Sequence, residues 1–154
     1  MLKEKSKAPD FKAIDQDGKS HKLSDYLGQW VLIYFYPKDD TPGCTKEACM
    51  IAELWPDFKK AKLQVFGVSI QSEKSHKKFA EKYDLPFTLL VDEDKKIVNK
   101  YGVWAEKTLY GRKYMGTLRT SFLIDPKGKI AKIYEKVKPE IHAEQILEDL
   151  KKLK

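Results

Sequence analysis

The sequence predicts an α/β fold: a single domain, residues 1–154, with a central mixed β-sheet flanked by helices. Three observations carry this expectation. Short apolar runs such as VLIYFY at 31–36 alternate with segments of helical periodicity. The last two apolar runs are joined by Pro126-Lys127-Gly128, which reads as a hairpin turn. A chain of 154 residues with 42% hydrophobic content is long enough for one full core and too apolar to remain disordered.

The elements follow in order. Residues 8–30 read as irregular or hairpin structure, with turn signals at Asp17-Gly18 and Gly28. Residues 31–36 form a buried strand. Residues 42–62 have helical spacing, with Ala48, Ile51, Ala52 and Trp55 facing inward. Pro56 interrupts that helix: it has no N–H for the carbonyl of residue 52, so a boundary or kink is expected there. Residues 64–70 form a second strand. A helix over 72–83 follows, capped by Ser72 and carrying Phe79 and Tyr83. A short strand spans 87–91 and a short helix Lys95–Tyr101. Strands at 119–125 and 129–135 make the hairpin, and Arg119 opens the first of them. An amphipathic helix over 140–152 closes the chain, with Ile141, Ile146, Leu147 and Leu150 as its apolar positions.

Net charge is +7, from 30 basic and 23 acidic residues. Lysine pairs such as Lys59-Lys60 and Lys95-Lys96 are spread along the chain among acids, with no basic stripe interleaved by aromatics. That pattern describes a solvated surface, so no nucleic-acid partner is expected. No apolar run is long enough to span a membrane, so none is expected as a partner either. The charged start, MLKEKSKAPDF, lacks the apolar core of a secretory signal, and a cytoplasmic location is expected.

The chain has two cysteines, both in one stretch: Pro37-Lys38-Asp39-Asp40-Thr41-Pro42-Gly43-Cys44-Thr45-Lys46-Glu47-Ala48-Cys49. Without an export signal, such a pair points to redox or metal chemistry rather than a structural disulfide framework. Thr41 suits an N-cap, its hydroxyl accepting from a first-turn N–H, and Pro42 suits the first helical position. Cys44 then falls in the first turn, where the helix dipole favours thiolate, the nucleophilic form. Residues five apart in an intact helix have Cα atoms roughly 8–9 Å apart. A disulfide needs about 7 Å or less. Any bridge between Cys44 and Cys49 therefore requires the helix to unwind.

This stretch resembles the active site of a peroxiredoxin. Pro37, Thr41 and Cys44 fall on the family's Pro-x-x-x-Thr-x-x-Cys motif, and the Cys44–Cys49 spacing is similar to the Q-type, or bacterioferritin comigratory, branch. Weaker matches follow in the right order: Val65-Phe66-Gly67-Val68-Ser69, Tyr101-Gly102-Val103-Trp104 and Arg119-Thr120-Ser121-Phe122-Leu123-Ile124-Asp125. The resemblance implies a thioredoxin-like fold and a thiol peroxidase acting on hydrogen peroxide and organic hydroperoxides. It implies Cys44 as the attacking thiol and Cys49 as the resolving one, forming a Cys44–Cys49 disulfide recycled by thioredoxin or a similar dithiol. Thr41 would bond the peroxide, Pro37 would shield the thiolate, and Arg119 would stabilise the thiolate and bind the peroxide oxygens. Backbone N–H groups near Gly43 would add to this, and Glu47, one turn after Cys44, would orient Arg119 or pair with a lysine. No haem, flavin or metal cofactor is required, and a monomer is expected. The family often carries a Phe-Arg pair where this chain has Ile51-Ala52, a departure that bears on packing rather than chemistry. Tyr34 and Trp104 are expected to pack near the site, and His21, His76 and His142 to be ordinary surface or core residues.

Other readings fit less well. Structural zinc needs four ligands, usually in close pairs, which two cysteines and three scattered histidines supply poorly. A thioredoxin-type disulfide oxidoreductase uses cysteines separated by two residues, and four intervene here. A chaperone-like binding module would keep its activity without Cys44.

Overall fold

The computed structural model describes residues 2–154. A five-stranded sheet forms the centre, in the order β5 (Thr88–Val91), β4 (Leu63–Ser69), β3 (Trp30–Phe35), β8 (Ser121–Ile124), β9 (Ile130–Tyr134). The β3–β4 and β4–β5 pairs are parallel, while β3–β8 and β8–β9 are antiparallel, so the sheet is mixed as expected. Both faces of the sheet are covered, which is why its strands are apolar without interruption. Leu32, Tyr34, Val65, Leu89 and Leu123 point to one side. There they meet α1 (Pro42–Glu53), α2 (Trp55–Lys60), α3 (Glu73–Lys82) and α5 (His142–Leu153). Their neighbours Val31, Ile33, Phe35, Phe66, Val68, Leu90 and Phe122 point to the other, against Phe11, Leu23 and α4 (Lys96–Lys100).

A short hairpin, β1 (Lys12–Ile14) with β2 (Ser20–Lys22), and a 3-10 turn over Leu23–Tyr26 occupy the stretch expected to be irregular or hairpin structure. Ser72 caps α3 by accepting from the Ser75 N–H at 3.1 Å. The helical segment after residue 42 is two helices rather than one, broken at Leu54, ahead of the proline that cannot donate to Ala52. Ala48 and Ile51 are fully buried, Ala52 and Trp55 only partly.

Two expectations need correction. Helix α5 begins at His142, and Ile141 lies before it, 50% exposed, so it is not part of the apolar face. Arg119 precedes β8 by two residues instead of opening it. A second hairpin, β6 (Trp104–Leu109) with β7 (Arg112–Thr117), fills a region that sequence left unassigned. Its two-residue turn, Tyr110-Gly111, has φ of 51° and 77°, the doubly left-handed geometry that matches strand twist.

Candidate active site

The motif residues gather at one end of the sheet. Strand β3 delivers the chain to Pro37, and the loop to Thr41 leads into α1. Because β8 runs antiparallel to β3, the segment just before β8 lies at this same end: Phe35 N–H donates to the Thr120 carbonyl at 2.9 Å. This crossing brings Arg119 beside Cys44 across 75 residues of sequence.

Cys44 is buried, 1% exposed, and sits in the first turn of α1, behind Thr41, Pro42 and Gly43. Arg119 donates through Nη2 to Cys44 Sγ at 3.4 Å and through Nη1 to Glu47 Oε1 at 3.1 Å. One guanidinium thus links the sulfur to a carboxylate one helical turn further along α1. Of the two partners considered for Glu47, it pairs with Arg119. The start of α1 and the guanidinium thus converge on the Cys44 sulfur. Gly43 leaves room for this approach: a Cβ there would stand 3.0 Å from Arg119 Nη2, and the guanidinium would have to give by a few tenths of an ångström.

Glu47 is 1% exposed, and burial pushes its carboxyl up to about 7 against the opposing pull of Arg119. Its Oε2 and the Tyr34 hydroxyl are both buried without a hydrogen-bond partner. Burial, and then the charge of Glu47, raise the Tyr34 phenol well above its ordinary range. Tyr34 stays a core aromatic, stacked on Tyr36 with ring centroids 5.6 Å apart.

Thr41 stands at the N-cap position with extended backbone, but its hydroxyl does not cap the helix. It donates instead to the Lys38 carbonyl at 2.9 Å, which closes the loop into a turn. The Thr41 oxygen, donating its own proton, can still accept a hydrogen bond. Pro37 is half-buried at the start of the loop.

Cys49 lies on the same unbroken helix as Cys44, partly buried, and both thiols are free. Burial pushes the Cys49 thiol up, with Lys46 opposing. Trp104 packs against the core on the opposite face of the sheet, with Lys95 Nζ 5.4 Å from its ring. His76 and His142 are fully buried and His21 is bonded to Asp15, in keeping with their reading as core or surface residues.

Sequence reasoning passed over Lys107 on β6. Its ammonium donates to the Thr117 carbonyl at 3.0 Å, and burial pushes it down, with Arg119 adding to the shift and Cys44 opposing. A lysine opposite an aromatic in a hairpin offers no signal by itself, and its place near Arg119 depends on how the hairpin folds back.

Comparison with known proteins agrees with this geometry. The model of the AhpC/TSA family matches residues 5–133. The chain is 44% identical over 145 residues to peroxiredoxin Bcp of Bacillus subtilis, covering 94% of this chain and 92% of the relative. It is 45% identical over 144 residues to peroxiredoxin Bcp of Escherichia coli, again covering 94% and 92%. Among solved structures, a PrxQ cysteine mutant from Xylella fastidiosa superposes with a TM-score of 0.94 at 34% identity, covering 99% of this chain and 98% of that one. A bacterioferritin comigratory protein from Xanthomonas campestris, studied for alkyl peroxide reduction, gives 0.88 at 37% identity over 93% and 91%.

Proposed function

The chain belongs to the AhpC/TSA family and is a thiol-dependent peroxidase of thioredoxin-like fold, and from that membership we propose how its residues divide the reaction. Cys44 is the attacking thiol and Cys49 the resolving one. The observation that carries this reading is the Arg119 guanidinium, shared between buried Glu47 and Cys44 Sγ at the start of α1.

In the first step the Cys44 thiolate attacks the terminal oxygen of a hydroperoxide. The S–O bond forms as the O–O bond breaks, leaving a sulfenic acid and an alkoxide or hydroxide that takes a proton. Arg119 and the N–H groups at the start of α1 stabilise charge on the departing oxygen. Thr41 accepts from the peroxide O–H, Pro37 limits water at the sulfur, and Glu47 holds Arg119 in place. In the second step α1 unwinds and the Cys49 sulfur displaces the sulfenic oxygen as water, forming the Cys44–Cys49 disulfide. A dithiol protein, thioredoxin or one like it, then reduces that disulfide by exchange through a mixed disulfide.

The protein works as a cytoplasmic monomer, without nucleic-acid or membrane partners. No helix among the described residues is long and apolar enough to cross a membrane. Its surface lysines are mixed with acids, many in exposed pairs such as Lys82–Asp40 and Lys152–Glu148. Peroxide consumption with excess dithiol tests the division of roles. Cys44→Ser abolishes turnover, and Cys49→Ser consumes one equivalent and accumulates sulfenic acid. Full turnover by Cys44→Ser overturns the reading.

A further inference from the structure

Two side chains of α3, Ser75 and His76, hold the active-site loop through one buried aspartate, which Tyr36 bonds from the loop's own side, and the chemistry described so far uses none of these bonds. Asp39, 7% exposed, accepts from the Tyr36 hydroxyl at 2.6 Å through Oδ1. Its Oδ2 accepts from the Ser75 hydroxyl at 2.8 Å and meets His76 Nδ1 at 2.7 Å. The other ring nitrogen of His76, Nε2, lies 2.8 Å from the Leu90 carbonyl of β5.

A carbonyl oxygen only accepts, so Nε2 carries a proton. Nδ1 faces Asp39 Oδ2 at 2.7 Å. Both ring nitrogens are therefore committed, and flipping the fully buried ring would set carbon against two buried acceptors. His76 thus pins α3, β5 and the loop at a single point.

The next residue adds a second tether on the outside. Asp40, in a left-handed backbone conformation with φ of 55°, receives the Lys82 ammonium at 2.8 Å and the Tyr83 hydroxyl at 2.6 Å. A non-glycine residue persists there where its surroundings hold it. The exposed Lys82 pair contributes little alone, so the buried cluster is the stronger fastening.

The loop so held carries Pro37 and Thr41 and sets where α1 begins. We propose that Asp39 and His76 are positioning residues of the peroxidase: they lock the loop to α3, fix Cys44 in its attacking position, and restrain the unwinding that precedes disulfide formation. This rests on Cys44 and Cys49 having the roles given above.

Stopped-flow measurement of the two steps separates positioning from mere stability. Asp39→Asn keeps the shape but replaces the carboxyl group that faces His76, and Ser75→Ala removes one bond while leaving the Asp39–His76 pair intact. Val98→Ala, in the core on the opposite face of the sheet, serves as a destabilised control. Asp39→Asn slows the reaction of Cys44 with hydrogen peroxide by about tenfold or more, and Ser75→Ala slows it less. In both variants the rate of disulfide formation relative to that first step rises, whereas Val98→Ala leaves the ratio at the wild-type value. An unchanged ratio in both loop variants, or the same change in Val98→Ala, overturns the proposal. If the loop variants fail while Cys44→Ser still abolishes turnover, this inference alone is lost and the assignment of the thiols stands.

Discussion

Arg119 bonds two partners at once, and each offers a test at the scale of single residues. Gly43 leaves the space for its guanidinium, with a substituted Cβ 3.0 Å from Nη2. Gly43→Ala should therefore split activity from stability. Alanine in place of glycine favours the helix by up to about 1 kcal/mol, while displacing the guanidinium slows attack on peroxide by about tenfold. Equilibrium unfolding and single-turnover kinetics on the same sample read both, and an unslowed first step would contradict the positioning of Arg119.

Glu47 gives a pH signature. Its carboxyl is raised from 4.5 to about 7 by burial. Below the lower value both folded and unfolded chains hold the proton, and stability is complete. Between the two values only the unfolded chain releases it, so stability falls with rising pH, by up to about 3 kcal/mol once past the upper value. Glu47→Gln can still accept from Arg119 but does not titrate, so this decline disappears from its unfolding free energy. Parallel pH curves for wild type and Glu47→Gln would rule out the buried, raised carboxyl.

At the scale of elements, the proposed mechanism asks α1 both to hold and to give way. Ile51 is fully buried on its inner face, where the family often has Phe. Ile51→Val removes one methylene at about 1 kcal/mol. The unwound population rises about fivefold as a result, which appears as faster disulfide formation with an unchanged first step. An unaccelerated second step would mean that unwinding does not limit resolution.

The sheet strands and major helices were legible because each buries an apolar face of the right period. The loop from Pro37 to Cys49 was legible because its motif is local. Thr41 was misread as a cap because the sequence offered a hydroxyl in the right place and could not show the competing Lys38 carbonyl. The β6–β7 hairpin escaped because it buries little: Leu109, Tyr110, Tyr114 and Met115 are exposed, and apolar alternation has no meaning on such a face. Its one signal was Tyr110-Gly111 between β-forming residues. Asp39 and His76 meet across 37 residues, and neither has a local pattern that names the other.

At the scale of the whole molecule, a rigid scaffold carries one convertible segment. The five-stranded sheet is packed on both faces, and its strands hold Arg119 and the start of the loop from below. Helix α1 lies on that scaffold and ends at Leu54, so the break before Pro56 separates it from α2. Unwinding can therefore stay local while both cores persist. The central claim is that Cys44 and Cys49 share either an intact helix or a disulfide, never both. Amide hydrogen exchange on the dithiol and peroxide-oxidised forms tests it most directly. The account predicts that amides between Cys44 and Cys49 lose their protection on oxidation while β3, β4 and β8 keep theirs. A protein with a verified Cys44–Cys49 disulfide and undiminished protection across α1 would contradict it.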